Sequence, residues 1–505
     1  MSASSITGAA DVKRVARGGG VLLVATLVGN TLLLLLDVYL NALLGRRDYG
    51  VYVTWRRALA FAGFVGALGM ENTVIRGVAG AGTDLVAARG TVRVAAVATA
   101  ATSLCVGLLF FSGRGLFVGG LHEVPAAAWV ALIGAATLPL AALRLIGVSA
   151  SQGAGRVSHR ALVMFLAWPV VQFALLPVFI RLVPAGEGLL AAALAYGGSM
   201  VLGAVLAALL LFRVRRDMFL LAAPGRAALL PLLAYSAPLW AQGIVMAAYT
   251  WADQLVLAGI GGAEAAGVYG PVAALAPLFG VGLTALNGIF APMIAEKHAR
   301  GEHEALGRLY RTVTRWAVAV ALPPLVVSMV APEAVLALWP HGAPEAATAL
   351  RITCVAQLGC TLVGSVNYLL IMAGYPRATL WNGLPAVALN LVLSVLLVPW
   401  LGVTGAALAN AAAMLTANGL GLYQVWGALR LHPFAPALAK PFLAAIPAAG
   451  LVWGVAQTAW SPLVVVVSGG IGGGLLLLGG LGLLGLDADD RVIVDGVLRK
   501  LGRRS

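Results

Sequence analysis

Residues 21–44 read VLLVATLVGNTLLLLLDVYLNALL, an unbroken apolar run that carries a single charge, Asp37. A helix needs about 20 such residues to cross the ~30 Å hydrocarbon core of a bilayer. A membrane β-strand would instead alternate over about ten. Runs of this kind recur along all 505 residues. They mark about fourteen spans, near 19–44, 51–70, 91–112, 127–148, 161–183, 189–212, 230–258, 268–292, 316–339, 348–373, 378–398, 406–426, 441–460 and 462–486. The fold class is therefore an all-α polytopic membrane protein. Composition agrees, with 61% hydrophobic and 10% charged residues where a soluble domain carries about 25% charged. The first run follows a basic flank, Lys13, Arg14 and Arg17. It is too long for the apolar region of an export signal and lacks a small-x-small cleavage site, so a retained first span is expected.

A net charge of +14 could signal a nucleic-acid partner, but its distribution points to topology. With the N-terminus inside, most of the 33 basic residues fall in inner loops. The outer side keeps Arg46, Arg47, Arg114, Arg181 and Arg351. This is the positive-inside asymmetry, and it suits an anionic inner leaflet. The expectation is a bacterial cytoplasmic membrane protein with both termini cytoplasmic and no nucleic-acid partner. The polar segment 296–315 reads as a surface helix, with Leu306, Leu309, Tyr310 and Val313 at helical spacing opposite Arg308, Arg311 and Arg315.

An internal repeat organises the chain. DVYLNALLGRRDYGVY at 37–52 is echoed by DQLVLAGIGGAEAAGVY at 253–269. Each has an aspartate in an apolar run, a glycine eight residues on, a short polar turn and then Gly-Val-Tyr, with one extra residue in the second copy. Six spans separate the copies, so both run in the same direction. Parallel repeats of this kind place a substrate site at the repeat interface. The expected organisation is an N-lobe at 1–225, a C-lobe at 226–430, and two extra spans with a basic tail at 431–505.

Catalytic motifs are missing. No GxxxxGK[ST] phosphate loop occurs, and the run GGIGGGLLLLGGLGLLG at 469–485 has no lysine or hydroxyl partner, so it reads as close helix packing. No HExxH or other metal-ligand spacing is present, and Cys105, Cys354 and Cys360 lie in apolar runs as reduced thiols. The six histidines sit near loops. A membrane glycan polymerase would need acid–base groups at the outer surface, and His122 with Glu123 is the one pair available. The expectation is a conduit rather than an enzyme, with no cofactor.

Charges inside the spans are the candidate site, because in hydrocarbon they face a cavity or pair with one another. Asp37 in span 1 and Arg56 and Arg57 in span 2 lie at nearly equal depth from the outer end, so an Asp–Arg pair between neighbouring helices is feasible. Asp253 holds the equivalent place in the second copy, where GPVAALAPLFG offers no arginine. Guanidinium groups bind phosphate oxygens in bidentate fashion, so Arg56 and Arg57 are candidates for an anionic headgroup. Adjacent arginines point about 100° apart on a helix, so at most one of them faces a cavity squarely. Arg144, near the inner end of span 4, either joins this set or reaches out to the inner headgroups. Asp37 and Asp253 are candidates for a coupling H+ or Na+ or for static counter-charge. Glu71 caps the exit of span 2.

The segment LLGRRDYGVYVTWRRALAFAGFVGALGMENTVIRGVA resembles the opening hairpin of bacterial oligosaccharide flippases of the multidrug/oligosaccharidyl-lipid/polysaccharide (MOP) exporter superfamily. The stretch from DQLVLAGIGGAEAAGVYGPVAALAPLFG to EKHARGEHEALGRLYRTVTRW, then ALPPLVVSMVAPEAVLALW and LLIMAGYPRATLWNGLPAVALNLVLSVLLVPWLGVTGAALANAAA, continues the likeness over roughly residues 19–430. The resemblance implies two six-helix lobes in alternating access that move an undecaprenyl-pyrophosphate-linked oligosaccharide from the inner to the outer leaflet. It also implies cationic cavity residues, which match Arg56 and Arg57, and polysaccharide-assembly enzymes as partners beside membrane lipids. The alternatives are a cation-coupled multidrug antiporter, which usually has twelve spans, and a peptidoglycan-precursor flippase. The latter's typical first-span arginine is replaced here by Asn30 and Thr31.

Overall fold

The computed structural model describes residues 9–81, 84–113, 127–216 and 229–484, and among these it is helical with no strand. The His122–Glu123 pair lies outside the described residues. The helices are α1 (Ala9–Ala67), α2 (Met70–Gly80), α3 (Leu85–Ser112), α4 (Ala127–Gly153), α5 (Val157–Leu182), α6 (Gly188–Val214), α7 (Leu229–Phe279), α8 (Val281–Ala299), α9 (His303–Val330), α10 (Pro332–Leu336), α11 (Ala347–Val363), α12 (Val366–Met372), α13 (Pro376–Leu429), α14 (Ala439–Ala456) and α15 (Pro462–Leu483).

Among the described residues, eleven segments are long and apolar enough to cross a membrane, and three of them, of 43, 56 and 53 residues, are far too long for one crossing. A straight 43-residue helix would span about 65 Å at 1.5 Å per residue, twice the hydrocarbon core. Each contains a glycine with non-helical backbone: Gly45 (φ 72°), Gly262 (φ 80°) and Gly402 (φ 52°). The chain folds back at these points. Arg56 reaches Asp37 at 3.1 Å across Gly45, Tyr269 reaches Asp253 at 2.7 Å across Gly262, and Asn382 and Gln424 exchange two hydrogen bonds, 2.8 and 2.7 Å, across Gly402. In a straight helix the 19 residues from Asp37 to Arg56 would put those groups about 28 Å apart. Counting each of the three as two crossings brings the eleven to the fourteen expected.

The breaks refine the repeat. Gly45 precedes Gly50 by five residues, and Gly262 precedes Gly267 by five. The extra residue of the second copy therefore lies in the helix before the break, and not in the polar turn. A second correction concerns 296–315. The break falls at Gly301 (φ 70°), and α9 then runs unbroken from His303 to Val330. Surface segment and span are one helix, because no glycine or proline interrupts 308–322. Leu306, Tyr310 and Val313 are buried and Arg308 and Arg311 exposed as the pattern requires, but Arg315 is buried.

The chain divides into two compact units, one comprising 1–274, 339–342 and 387–410, the other 275–338, 343–386 and 411–505. The first unit contains both copies of the repeat. One part of its core joins Met70, Val74 and Val78 of α2 to Ala88, Val92 and Ala95 of α3, Ile146 and Ala150 of α4, and Leu211 of α6. In α5, residues Ala161–Ala167 form a π-turn ahead of Pro169. Pro169 has no N–H to give the Phe165 carbonyl four residues earlier, and that carbonyl lies against Gly29 of α1, where a Cβ would collide with it. Glu71, at the start of α2, pairs with Arg160 at 3.4 Å.

In the second unit, one cluster gathers Leu306 and Tyr310 of α9 against Val366, Leu369 and Leu370 of α12 and Val425 and Leu429 of α13. The glycine-rich run packs as expected: Gly469, Gly473 and Gly480 of α15 lie against Val452, Ala448 and Ala444 of α14. Close backbone approach of this kind is a main source of helix association in lipid. A Cβ at Gly480 would sit 3.0 Å from the Ala444 Cβ, so Gly480→Leu is expected to cost about 1–3 kcal/mol by overpacking. A lowered thermal midpoint in detergent checks this, and an unchanged midpoint refutes it. The three cysteines are free thiols.

Candidate substrate site

Asp37 and Arg56 form the pair the sequence allows. Asp37 is only 4% exposed. The Arg56 Nη2 lies 3.1 Å from one carboxylate oxygen and 3.2 Å from the other, to which it donates. One helical turn before Arg56, the Tyr52 ring lies 5.8 Å from its guanidinium carbon, within cation–π range. The Tyr52 hydroxyl accepts a hydrogen bond from Gln172 of α5. Behind it stand Trp55 and Tyr196 of α6, with ring centroids 5.8 Å (Tyr52–Trp55) and 5.3 Å (Trp55–Tyr196) apart, and Trp168 of α5 at 6.2 Å from Tyr196. This aromatic wall covers one side of the ion pair, whose Arg56 side chain remains 18% exposed, and low local polarity strengthens the attraction between its members.

Arg57 points elsewhere, as the helical rotation demands. No described side chain hydrogen-bonds or ion-pairs with it, and its strongest attraction is to Asp253. Asp253, 3% exposed on α7, accepts from the Tyr269 hydroxyl through one oxygen, while the other has no donor. Its neighbour Gln254 is fully buried, with neither end of its amide bonded. The two aspartates are therefore treated differently: the first is neutralised by an arginine of its own hairpin, the second is held by the tyrosine of its Gly-Val-Tyr.

Arg144 does not reach out to headgroups. It is 8% exposed, nine residues before the end of α4, and its Nε and Nη1 have no partner. Gly203 of α6 makes room for its stem; a Cβ there would lie 2.9 Å from Cδ. The site residues that sequence reasoning misses are this Tyr52–Trp55–Tyr196 wall, Gln172 and Tyr269. The tyrosines of the repeat are on view in both copies, and their place beyond the turn brings each back toward its own aspartate. Other polar span residues are tied locally: Asn390 donates to the Tyr249 carbonyl at 3.2 Å and accepts from Ser394 at 3.1 Å, and Asn287 bonds Ser365.

The described residues form a bundle of membrane-length helices with glycine breaks and charges buried within the spans, as a multi-pass membrane protein requires. The chain matches the family described as polysaccharide biosynthesis protein over residues 15–298. It belongs to that family. It is 24% identical over 230 residues to the probable flippase AglR of Haloferax volcanii, covering 44% of this chain and 47% of AglR. The alignment thus spans about half the length of that relative. Among solved structures, the lipid II flippase MurJ in an inward closed conformation is similar at a TM-score of 0.69 and 13% identity, over 92% of this chain and 98% of that one. An inward-facing MATE family multidrug transporter gives 0.57 at 18% identity, over 82% and 94%. A MOP superfamily transporter from Pyrococcus furiosus gives 0.55 at 18%, over 83% and 95%. At these identities the likeness is one of fold.

Proposed function

We propose that this protein is a flippase that carries an undecaprenyl-pyrophosphate-linked oligosaccharide from the inner to the outer leaflet of the bacterial cytoplasmic membrane, for assembly of cell-surface polysaccharide. Its lobes, 1–225 and 226–430, alternate in access, with both termini cytoplasmic and polysaccharide-assembly enzymes as partners. The observation that carries this reading is Arg57. It is a guanidinium in the second span with no ion pair or hydrogen bond to a described side chain, next to an arginine already neutralised by Asp37. An unpaired cation is costly there, and a pyrophosphate would satisfy it by charge-assisted hydrogen bonds. Arg144, buried with two idle nitrogens, serves as a further cationic contact. The free oxygen of Asp253 supports coupling to H+ or Na+ at that carboxylate, with Asp37 as fixed counter-charge.

The test follows a labelled undecaprenyl-pyrophosphate oligosaccharide between leaflets of proteoliposomes. Arg57→Gln leaves every hydrogen bond of the described fold in place, so the variant folds. It is expected to lower translocation by about 10–100-fold, the worth of one or two hydrogen bonds to a charged group. Equal rates in wild type and variant would remove Arg57 from the site. A folded wild type that moves no matched lipid but exports organic cations would replace the flippase by the antiporter.

A further inference from the structure

The first half of α7 is fastened to a break in the second span, and both lie in the first compact unit. α1 ends at Ala67 and α2 starts at Met70. The two residues between them, Leu68 (φ 52°) and Gly69 (φ 65°), both have left-handed backbone. Glycine adopts it freely, but leucine does so only under strain. Such strain persists where surrounding contacts impose it, and it gathers at switch regions. The last four carbonyls of a helix lack continuing partners, and here three of them are taken by side chains. Thr102 of α3 donates to the Gly66 carbonyl at 2.7 Å. The Trp240 indole N–H of α7 donates to the carbonyls of Phe64 and Val65, at 3.1 Å each.

The fit around this bond is close. A Cβ on Gly69 would lie 2.9 Å from the Ser236 carbonyl oxygen and from the Trp240 backbone nitrogen. A Cβ on Gly243 would meet the Phe64 ring at 3.4 Å, and that ring stands 5.8 Å from Trp251. The Arg76 guanidinium lies over the Tyr235 ring at 4.5 Å. Ser236, Trp240, Gly243 and Trp251 share one face of α7, so these contacts form a continuous seam. At 1.5 Å per residue, Phe64 stands about 28 Å of helix beyond Gly45, and Trp240 about 33 Å before Gly262. The bond therefore sits one hydrocarbon thickness (~30 Å) from those two turns, at the cytoplasmic end in the orientation proposed above. A tryptophan at such a boundary ordinarily offers its N–H to water and headgroups. Trp240 gives it instead to backbone from the other half of the chain. Water can replace it there, since Phe64 is 43% exposed. Exchanging a neutral hydrogen bond for water changes the free energy little, so the contact is suited to open and re-form.

We propose that Trp240 is the latch of a gate at this end: its N–H holds the broken second span against α7 and lets go when the cavity opens there. The inference rests on the alternating access proposed for this protein. The test is the reactivity of Ser236→Cys, a position 1% exposed in the seam, toward a charged methanethiosulfonate. The purified full chain is used in detergent, with Cys105, Cys354 and Cys360 changed to alanine. The thiolate displaces methanesulfinate to form a mixed disulfide, which requires an open seam. Trp240→Phe keeps most of the ring and deletes the N–H, so it should speed labelling about three- to tenfold, the worth of one hydrogen bond. Thr102→Val uncaps the same break from α3 and should leave the rate unchanged. Ser199→Cys, fully buried in α6, reports general loosening, and its rate should not respond to Trp240→Phe. Unchanged labelling of Ser236→Cys in the Trp240→Phe background overturns the latch. An equal rise with Thr102→Val, or at Ser199→Cys, overturns it too. No substrate is present, so a latched protein that moves no lipid refutes the flippase and leaves the latch standing.

Discussion

Asp37→Ala is expected to destabilise the protein by about 3–5 kcal/mol, the cost of leaving one partner of a buried ion pair unpaired. Arg56, its side chain 18% exposed, stays mostly buried after the change. Its guanidinium lies on Tyr52, and the ring array of Trp55, Tyr196 and Trp168 closes that side. The double change Asp37→Ala/Arg56→Met removes both charges and keeps most of the buried volume, so it should recover most of the loss. Replacing a buried pair by apolar groups is often close to neutral. Asp253→Asn provides the contrast. Tyr269 can still donate to the amide oxygen, so the change should cost only about 0.5–1.5 kcal/mol. Thermal unfolding of the four proteins in one detergent measures this. Equal losses in Asp37→Ala and the double variant would mean that the two side chains are not energetically coupled, whatever their 3.1 Å separation.

The Asp37–Arg56 pair is legible in the amino-acid sequence because two simple constraints intersect on it. A charge in a span must find a partner, and a glycine turn of known position fixes which residues of two helices come level. The same reasoning cannot find Tyr269 as the partner of Asp253, since a tyrosine carries no charge to flag the need. It also leaves Arg144 between two readings, because depth along a helix says nothing about which neighbour covers it. Gly203 decides that, and its relevance depends on how α4 and α6 pack. The surface helix is misplaced by the sequence pattern for a related reason. Its periodicity is real, as the burial of Leu306, Tyr310 and Val313 shows, but an amphipathic pattern marks a face and not an end. Only Gly301, with its positive φ, marks where the helix begins. The repeat is visible as residues, while its purpose depends on a contact between the copies that no spacing reveals.

That contact predicts the second large effect. A Cβ on Gly50 would collide with the carbonyl of Ala263, and a Cβ on Gly267 would collide with the carbonyl of Arg46. Each glycine stands five residues after its break, and each carbonyl belongs to the residue just after the other break. The contact is thus reciprocal, as at a two-fold interface where the same patch meets itself. The Arg46–Glu264 ion pair that spans the two turns is 3.8 Å long and solvent-accessible, so it adds little, and the backbone approach is the closer contact between the two copies. Gly50→Ala is therefore expected to disfavour closure by about 3 kcal/mol or more, since backbone atoms cannot rotate out of the way. That shifts the closed population about 150-fold, and under alternating access it should abolish most transport. Gly45→Ala is the control. Nothing lies within 4 Å of its added Cβ, so it pays only for its left-handed backbone, about 1–3 kcal/mol, without wedging the copies apart. A short bis-methanethiosulfonate cross-linker, which joins the thiols of Arg46→Cys and Glu264→Cys with loss of two methanesulfinates, reads the closed state directly. Its yield should collapse with Gly50→Ala and survive Gly45→Ala; full linking with Gly50→Ala would show that the two copies do not close on these glycines.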